Sequence, residues 1–261
     1  MLAIISPAKT LDTESTSPDL DYSQPAFLPD ADRLATQLKG YSAKRLGKLM
    51  SISDQLAELN VSRYQAWSLP MDLDVARPAI LMFRGDVYEG MDNTSLSPAQ
   101  LHEANQQVRI LSGLYGLLRP LDLMLPYRLE MGCSIKLPKT RFGTHKLDAF
   151  WQNKVTTALN AELNTGSHEA LINLASNEYA AAVTFKAIER PVIKIDFKEE
   201  ANGSVKMVSF FAKKARGMMV RFMIEQKPQH PTDLQAFDTA GYRFNVGLSS
   251  DTHYIFTRPK P

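Results

Sequence analysis

The chain has 261 residues, of which 44% are hydrophobic and 22% charged, and its net charge is +2 at pH 7. This composition is typical of a soluble globular protein with an ample core. The net charge is too small to indicate a nucleic-acid partner unless lysines and arginines cluster. The single cysteine, Cys133, excludes a disulfide framework and a cysteine zinc site, and it favours the cytoplasm. The N-terminus lacks signal-peptide features, and no apolar run approaches the roughly 20 residues that span a membrane.

The predicted strands are short and are spread over the whole chain. Apolar runs predict buried strands at residues 2–5, 79–83 and 170–174. Alternating or β-prone residues predict further strands at residues 192–197, 205–210, 242–246 and 254–257. Asn202 and Gly203 are a hairpin signal between the strands 192–197 and 205–210.

Capping residues and helical spacing predict the helices. Ser42, Ser53 and Ser97 are the expected N-caps, and Ser97 precedes Pro98 and Gln100 in a capping-box pattern. The predicted helices cover residues 32–39, 42–50, 53–67, 97–111, 147–163 and 211–223.

This order of elements predicts one mixed α/β domain over residues 1–261, with a mixed sheet surrounded by helices. The order is too irregular for the regular βαβ series of a Rossmann or TIM fold. Residues 12–30 are acidic and rich in Ser and Pro, so we expect an extended surface arm rather than a linker between domains.

Polar residues follow three of the predicted apolar strands. If these strands are parallel neighbours, their carboxyl ends meet at one edge of the sheet, where α/β proteins bind ligands. The residues that would then converge are Lys9, Arg84, Asp86, Asn177 and Glu178. The alternative is that each cluster is an ordinary polar loop at the end of a strand.

The predicted helix 211–223 separates apolar from basic residues. One face carries Phe211, Ala212, Ala215, Met218, Met219, Phe222 and Met223. The opposite face, here called the basic arc, carries Lys213, Lys214, Arg216 and Arg221, with Gly217 among them. Four cations around a glycine predict contact with phosphates, because glycine allows a partner to approach closely. The alternative is a solvated face, with Gly217 present for helix packing.

Residues 110–132, here called the central segment, combine apolar residues with Gly, Pro and Arg, which indicates a buried, irregular segment at a cleft. Gly113 and Gly116 loosely match the glycines of a helix-hairpin-helix turn, whose N–H groups bind a DNA phosphate. A helix C-cap at Gly113 followed by a buried turn is the alternative. Arg119 and Arg128 could each bind a phosphate. Each could equally be buried and paired with Asp122 or Glu130.

Motifs for known catalytic or cofactor chemistry are lacking. The sequence has no HExxH, P-loop, GxSxG or GxGxxG pattern, so we predict neither a metal site nor a cofactor. Asp86 and Glu130 are weak candidates for a general acid or base. They are equally expected as ion-pair partners of Arg84, Arg119 or Arg128.

Five stretches together resemble the YaaA family of bacterial peroxide stress resistance proteins. They are ISPAKTLD (5–12), FRGDVYEG (83–90), LSGLYGLLRPLDLMLPYRLEMG (111–132), NLASNEY (173–179) and SFFAKKARGMMVRF (209–222). The resemblance implies protection from hydrogen peroxide and from damage linked to free iron, together with DNA binding. It also implies one compact α/β domain with a basic cleft and a helix-hairpin-helix-like element. It implies no catalytic residue.

The leading hypothesis is therefore a cytoplasmic, sequence-tolerant DNA-binding protein of the peroxide response, with no membrane partner. Its phosphate contacts would be Lys9, Arg84, Gly113, Gly116, Arg119, Arg128, Lys213, Lys214, Arg216, Gly217 and Arg221. One rival is an enzyme that acts on a small phosphorylated or nucleotide-like substrate at the strand ends. A third hypothesis is a protein-interaction factor that uses the arm 12–30.

Overall fold

The computed structural model describes residues 1–133, 135, 137–201 and 203–260. The helices in the described residues are α1 (Leu28–Lys39), α2 (Ala43–Met50), α3 (Asp54–Gln65), α4 (Ala79–Met82), α5 (Asp86–Met91), α6 (Pro98–Gln107), α7 (Lys139–Phe142), α8 (Leu147–Thr165), α9 (Asn177–Ala180) and α10 (Ser209–Gln226). Short 3-10 helices cover Asn93–Ser95, Phe185–Ala187, Pro231–Ala236 and Thr239–Gly241.

The strands in the described residues are β1 (Leu2–Ile5), β2 (Thr10–Leu11), β3 (Arg77–Pro78), β4 (Phe83–Arg84), β5 (Val108–Ser112), β6 (Gly116–Leu118), β7 (Leu123–Met124), β8 (Leu171–Asn173), β9 (Val192–Ala201), β10 (Ser204–Lys206), β11 (Arg243–Phe244) and β12 (His253–Pro259). The main sheet has the order β11-β12-β9-β8-β1-β5-β6, and β10 pairs with β9. Two small ladders, β2–β4 and β3–β7, lie outside it. One buried apolar cluster joins the sheet and the helices, so the predicted single mixed α/β domain is confirmed.

The order of the parallel strands indicates where a ligand-binding crevice lies. Strands β5, β1, β8, β9 and β12 are neighbours in that order, and each neighbouring pair is parallel. Counted along the chain, these five strands have the order 2-1-3-4-5, which doubly wound α/β sheets also use. The direction of the order reverses between β1 and β8. In such sheets, ligands bind at this reversal, beyond the carboxyl ends of the strands.

Local signals predicted many elements well. Ser97 Oγ accepts a hydrogen bond from the backbone N–H of Gln100 at 3.3 Å, and the Gln100 side chain accepts one from the N–H of Ser97 at 3.0 Å. Ser42 and Ser53 cap α2 and α3 as predicted. The N-terminal strand has the predicted bounds, and the predicted hairpin is present between β9 and β10. Of its two turn residues, Asn202 lies outside the described residues, and Gly203 has a φ of +72°.

Several boundaries were wrong. Helix α1 begins at Leu28 rather than at residue 32, inside the predicted arm. Strand β10 ends at Lys206, and α10 begins at Ser209, so the predicted strand 205–210 is too long. The arm itself follows the surface of the central segment, where the Ser23 hydroxyl donates to Asp122 Oδ1 at 2.6 Å.

The prediction of a strand at residues 79–83 was wrong. These residues form α4, followed by the two-residue strand β4, which pairs with β2 and not with the main sheet. A short apolar run that is buried on all sides has the same pattern in a helix and in a strand. The buried Asn93 amide favours the helix over the strand, because it donates to the carbonyls of Ile80 and Phe83.

Residues 108–111 were wrongly predicted to extend a helix. Helix α6 ends at Gln107, and Val108–Ser112 forms β5, parallel to β1 and antiparallel to β6. The apolar residues at helical spacing are also β-prone. Pairing on both edges of this strand therefore overrides the helical pattern.

Gly113 and Gly116 do not belong to a helix-hairpin-helix turn, because strands flank them. Ser112 pairs with Gly116 in the β5–β6 hairpin, and both glycines are buried. A Cβ atom on Gly113 would lie 2.2 Å from the Leu129 carbonyl oxygen, and one on Gly116 would lie 2.5 Å from the Trp151 ring. Their backbone is therefore packed against the core rather than offered to a phosphate. The alternative of a buried turn is correct, but a helix C-cap at Gly113 is not.

Among the described residues, no helix is both long and apolar enough to cross a membrane.

Candidate functional site

Three loops and one helix surround a cleft of about 440 Å³ beyond the carboxyl ends of β1 and β8, here called the strand-end cleft. The loops follow β1, β4 and β8, and the helix is α10. The side chains that carry charge into this cleft are Lys9, Arg84, Asp86, Glu178, Lys213 and Arg216.

The sheet explains how the loops meet. Strands β1 and β8 are adjacent and parallel, so the loops that begin at Ser6 and at Leu174 leave the same edge. The third loop arrives because Thr10 pairs with Arg84 in the β2–β4 ladder. The predicted convergence therefore occurs, although the middle segment joins it through a ladder of its own. Asn177 is the exception, since it lines a neighbouring depression together with Asp148 and Lys194.

The cations on one side of the strand-end cleft are tightly paired. Lys9 Nζ lies 2.6 Å from Glu130 Oε2, and Arg128 donates to the other oxygen of the same carboxylate at 3.1 Å. Arg84 donates to Asp12 Oδ2 at 2.6 Å. Hydrogen bonds from Ser15, with a contribution from Arg84, hold the pKa of Asp12 well below its usual range. These five ion-paired residues, Lys9, Arg128, Glu130, Arg84 and Asp12, therefore hold the loops in place.

The cations on α10 that face the strand-end cleft are held more loosely. Lys213 Nζ lies 3.7 Å from Asp86 Oδ2, and Arg216 lies 3.8 Å from Asp196 Oδ1. The Arg216 side chain is only 12% exposed, and its Nε has no hydrogen-bond partner among the described residues. Burial also lowers the pKa of Arg216. This guanidinium is therefore desolvated but incompletely paired at the wall of a cleft.

Hydroxyl groups complete the floor of the strand-end cleft. Ser6 Oγ accepts the backbone N–H of Ser176 at 2.9 Å and donates to Ser176 Oγ at 3.2 Å. The Ser176 hydroxyl hydrogen is thereby directed away from Ser6. Tyr88 donates to the Ser6 carbonyl at 3.2 Å, and burial raises the pKa of the Tyr179 phenol beside it. Both phenols therefore stay neutral.

Comparison with known proteins assigns the chain to a family. Residues 1–247 match the model of the family described as "Peroxide stress protein YaaA". The chain belongs to this family. Its curated relatives include a UPF0246 protein from Idiomarina loihiensis, 48% identical over 258 residues that cover 99% of this chain and 98% of the relative. A UPF0246 protein from Hahella chejuensis is also 48% identical, covering 99% of both chains. One from Flavobacterium johnsoniae is 47% identical, covering 99% of this chain and all of the relative.

Within this member of the family, the arginines of the central segment are engaged in structure. Arg119 donates to Asp122 Oδ1 through Nε at 3.0 Å and to the Gln24 carbonyl at 3.0 Å. Arg128 is paired with Glu130, as described above. The alternative of acidic partners for both arginines is therefore confirmed. Glu130, which lies between Lys9 and Arg128, acts as an ion-pair partner, as the alternative to a general acid or base predicted. Asp86 pairs with Lys213 rather than with Arg84.

Gly217 does not lie on an accessible basic surface. It is buried where α10 crosses α5, and a Cβ atom on it would lie 1.8 Å from the Val87 carbonyl oxygen. Gly90 of α5 makes the reciprocal approach, since a Cβ atom on it would lie 2.0 Å from the Lys214 carbonyl oxygen. Gly217 is therefore a packing residue, and a phosphate cannot reach it. Its counterpart Gly90 was a signal in the sequence that could have indicated the crossing.

Arg221 is also used within the fold. Its guanidinium pairs with Glu225 and donates to Ser95 Oγ at 2.8 Å and to the Asp92 carbonyl at 3.2 Å. It therefore ties α10 to the loop after α5. Lys214, by contrast, is 37% exposed and lies 3.7 Å from Glu89. Of the predicted basic arc, Lys213 and Lys214 are the residues that face solvent most openly.

Some residues of the site were not identified from sequence. Ser6 and Ser176 belong to the polar residues that follow two of the predicted strands but were not singled out, and Asp196, which faces Arg216, was not considered. An acidic residue on the buried face of a strand was the available signal for Asp196. Among the described residues, no group of three or more His, Cys, Asp or Glu side chains is placed to hold a metal ion.

Proposed function

We propose that this member of the peroxide stress family binds DNA through phosphate contacts at Lys213 and Lys214, beside the strand-end cleft. The observation that carries the proposal is that both ammonium groups are exposed and lie 3.7 Å from their acidic partners. Exposed ion pairs contribute only about 0 to 1 kcal/mol. Exchanging Asp86 or Glu89 for a DNA phosphate therefore costs little, and the fold does not depend on the original pairs.

An exposed aromatic residue supports the same surface. Phe210, in the first turn of α10, is 48% exposed, and Lys214 Nζ lies 5.2 Å from the centre of its ring. A lysine beside an accessible aromatic ring is the combination with which proteins hold single-stranded or opened nucleic acid, since bases stack on the ring while the cation meets the backbone. Such contacts do not depend on base identity, so we expect sequence-tolerant binding.

Helix α2 offers a second group of cations. Lys44, Arg45 and Lys48 are all exposed, on a helix that packs with α3 through a short turn at residues 51–53. The Arg45 guanidinium lies 3.5 Å from the centre of the Tyr41 ring, which holds it in place at the surface. We include these residues as additional phosphate contacts. The cytoplasmic setting favoured by the single cysteine is part of the same proposal.

A salt titration tests the proposal. Binding of a fluorescent DNA duplex and of the matching single strand is measured by anisotropy between low and moderate salt. Each lost phosphate contact reduces the slope of log K against log salt by about 0.9 on duplex DNA. We therefore expect the double variant Lys213→Ala/Lys214→Ala to bind more weakly and to lower the slope by about 1.8. The double variant Lys44→Ala/Lys48→Ala tests the contribution of α2 separately.

The matched control is Lys186→Ala/Arg190→Ala, which removes the same charge. Both residues are exposed and lie outside the lining of the strand-end cleft, and Arg190 lies just before β9, at the amino ends of the parallel strands. If the α10 variant and this control lower affinity and slope equally, net charge and not a local contact explains binding. Unchanged affinity and slope in the α10 variant would remove α10 from the interface.

A further inference from the structure

The strand-end cleft has the position and size of a small-molecule site. It lies where the strand order reverses, between β1 and β8, and its volume of about 440 Å³ falls within the range of roughly 300–1,000 Å³ that ligand pockets occupy. DNA contact at the exposed lysines needs no such cavity. The cleft therefore calls for an explanation of its own, beyond the proposed function.

The charges in the cleft favour an anion. Four cationic and two acidic side chains line it. Lys9 and Arg84 are each held by an acidic partner at 2.6 Å, whereas Lys213 and Arg216 lie 3.7 and 3.8 Å from theirs. Lys9 and Arg84 would gain little from a ligand because their ion pairs are already short. Lys213 and Arg216 would gain more because their acidic partners are farther away.

Arg216 is the strongest single indication. A buried polar group that lacks a hydrogen-bond partner is costly, and more so when it is charged. Arg216 is 12% exposed, and its Nε has no partner among the described residues. Lys194 at 3.0 Å and His253 at 2.8 Å contact only Oδ2 of the facing Asp196, while Oδ1 lies 3.8 Å from Arg216, too far for a hydrogen bond. An anion in the cleft would supply an acceptor to this incompletely paired guanidinium. Guanidinium binds phosphate oxygens in pairs, so phosphate fits it well.

The remaining walls suit the organic part of a phosphate ester. The Ser176 hydroxyl, already accepting from Ser6, can donate to a phosphate oxygen. Pro7, Val87 and Tyr179 supply an apolar wall against which a flat ring can pack. The Glu178 carboxylate, which accepts the Gly132 N–H at 3.0 Å, can accept further donors from the ring or a sugar.

We propose that the strand-end cleft binds a free nucleotide-sized phosphate ester, with Arg216, Lys213 and Ser176 at the phosphate and the wall of Pro7, Val87 and Tyr179 against the ring. The acidic side chains of the cleft, Asp86 and Glu178, repel ligands that carry only negative charge. Inorganic phosphate is therefore a poorer ligand than a nucleoside monophosphate.

Calorimetric titration of the full chain tests this site. The probes are the four deoxyribonucleoside 5′-monophosphates, the matching nucleosides without phosphate, and inorganic phosphate. We expect saturable binding of at least one monophosphate, with the nucleoside and inorganic phosphate each at least tenfold weaker. Arg216→Gln should weaken the monophosphate about tenfold or more, and Ser176→Ala about two- to tenfold. Lys186→Gln, at an exposed position outside the cleft lining, should leave affinity unchanged.

Other outcomes overturn the proposal. No saturable binding by any monophosphate excludes the site, and equal binding of inorganic phosphate excludes the role of the apolar wall. Unchanged affinity in folded Arg216→Gln and Ser176→Ala proteins excludes the assigned residues, and Ser176→Ala keeps the test valid if Arg216→Gln fails to fold. Ser176→Ala should leave DNA affinity intact, so this proposal and the DNA proposal can fail separately.

Discussion

The central segment and helix α10 contain the same residue types, arginines and glycines in apolar surroundings, but use them differently. In the central segment, Arg119 and Arg128 lie 2.9 and 3.1 Å from acidic partners two or three residues away. On α10, Lys213, Lys214 and Arg216 lie 3.7 to 3.8 Å from acids on other elements. The first set holds its own loop in shape. The second set is available to a ligand, so pairing distance separates the two roles where residue type does not.

The glycines differ in the same way. Gly113 lets the central segment fold tightly against its own residue Leu129, and Gly116 lets the same segment pack against the ring of Trp151 on α8. Gly217, with Gly90, brings two helices from distant parts of the chain into backbone contact. Close packing at a helix crossing fixes where the cations of α10 stand relative to Asp86, which begins α5.

The largest expected effect concerns the central segment. Asp122 is 1% exposed and accepts hydrogen bonds from the Arg119 backbone at 2.8 Å, from Arg119 Nε and from Ser23. Removing this carboxylate leaves several donors without a partner, so Asp122→Ala should lower the free energy of unfolding by about 3 to 4 kcal/mol in urea denaturation.

Asp238→Ala is the control, because Asp238 pairs with Arg243 at 2.8 Å with both side chains more than half exposed. It should cost less than about 1 kcal/mol. Equal losses in the two variants would mean that burial does not distinguish the central segment from a surface pair.

A smaller effect is expected at the helix crossing. Gly217→Ala places a methyl group 1.8 Å from the Val87 carbonyl oxygen, which α5 can relieve only by moving. Overpacking of this kind costs about 1 to 3 kcal/mol, against roughly 1 kcal/mol that Ala gains in a helix. Because the added methyl group meets backbone at 1.8 Å, we take the upper end of this cost and expect a net loss of about 2 kcal/mol by urea denaturation.

Gly40→Ala is the matched control at the end of α1. Its φ is −81°, and the nearest atom to an added Cβ lies at 3.7 Å. Stability should change by less than about 0.5 kcal/mol. A Gly217→Ala protein as stable as this control would show that the two helices are not in contact in solution.

The smallest expected effect is at Cys133, immediately after the central segment. Burial raises the pKa of this thiol to about 11. Because the thiolate is the reactive form, Cys133 should be alkylated or oxidised by peroxide at pH 7.5 at least tenfold more slowly in the folded chain than in urea. Mass spectrometry of the labelled chain measures both rates. Folded protein that reacts as fast as unfolded protein would show that the end of the central segment is open.

Local features were predictable from the sequence, and pairings between distant segments were not. The caps at Ser42, Ser53 and Ser97 were correct because a cap depends on residues within one turn. The strand 79–83 was wrong because burial on all sides erases the periodicity that tells a helix from a strand.

For the site, convergence of Lys9 and Glu178 followed from the rule that parallel strands share an edge. Arg84 and Asp86 reach the same cleft through the β2–β4 ladder, which the sequence did not predict. Lys213 and Lys214 of the predicted basic arc face solvent. However, α5 covers Gly217, and Arg221 is fixed by the loop after α5. No pattern within α10 reveals which of its faces another helix covers. The Lys9–Glu130 distance of 2.6 Å and the Arg216–Asp196 distance of 3.8 Å decide which cation is available to a ligand. Such distances are set only in the assembled fold.

The hydrogen bonds between Ser6 and Ser176 join residues 170 positions apart, and they lie at the centre of the strand-end cleft. Closing such a long loop is entropically costly, so contacts of this range form late in folding. During synthesis, β1 leaves the ribosome first, yet both of its partner strands and α10 must follow before the cleft has its walls. A nascent chain therefore has no ligand site until most of its sequence has emerged, and ligand binding reports completion of the whole domain.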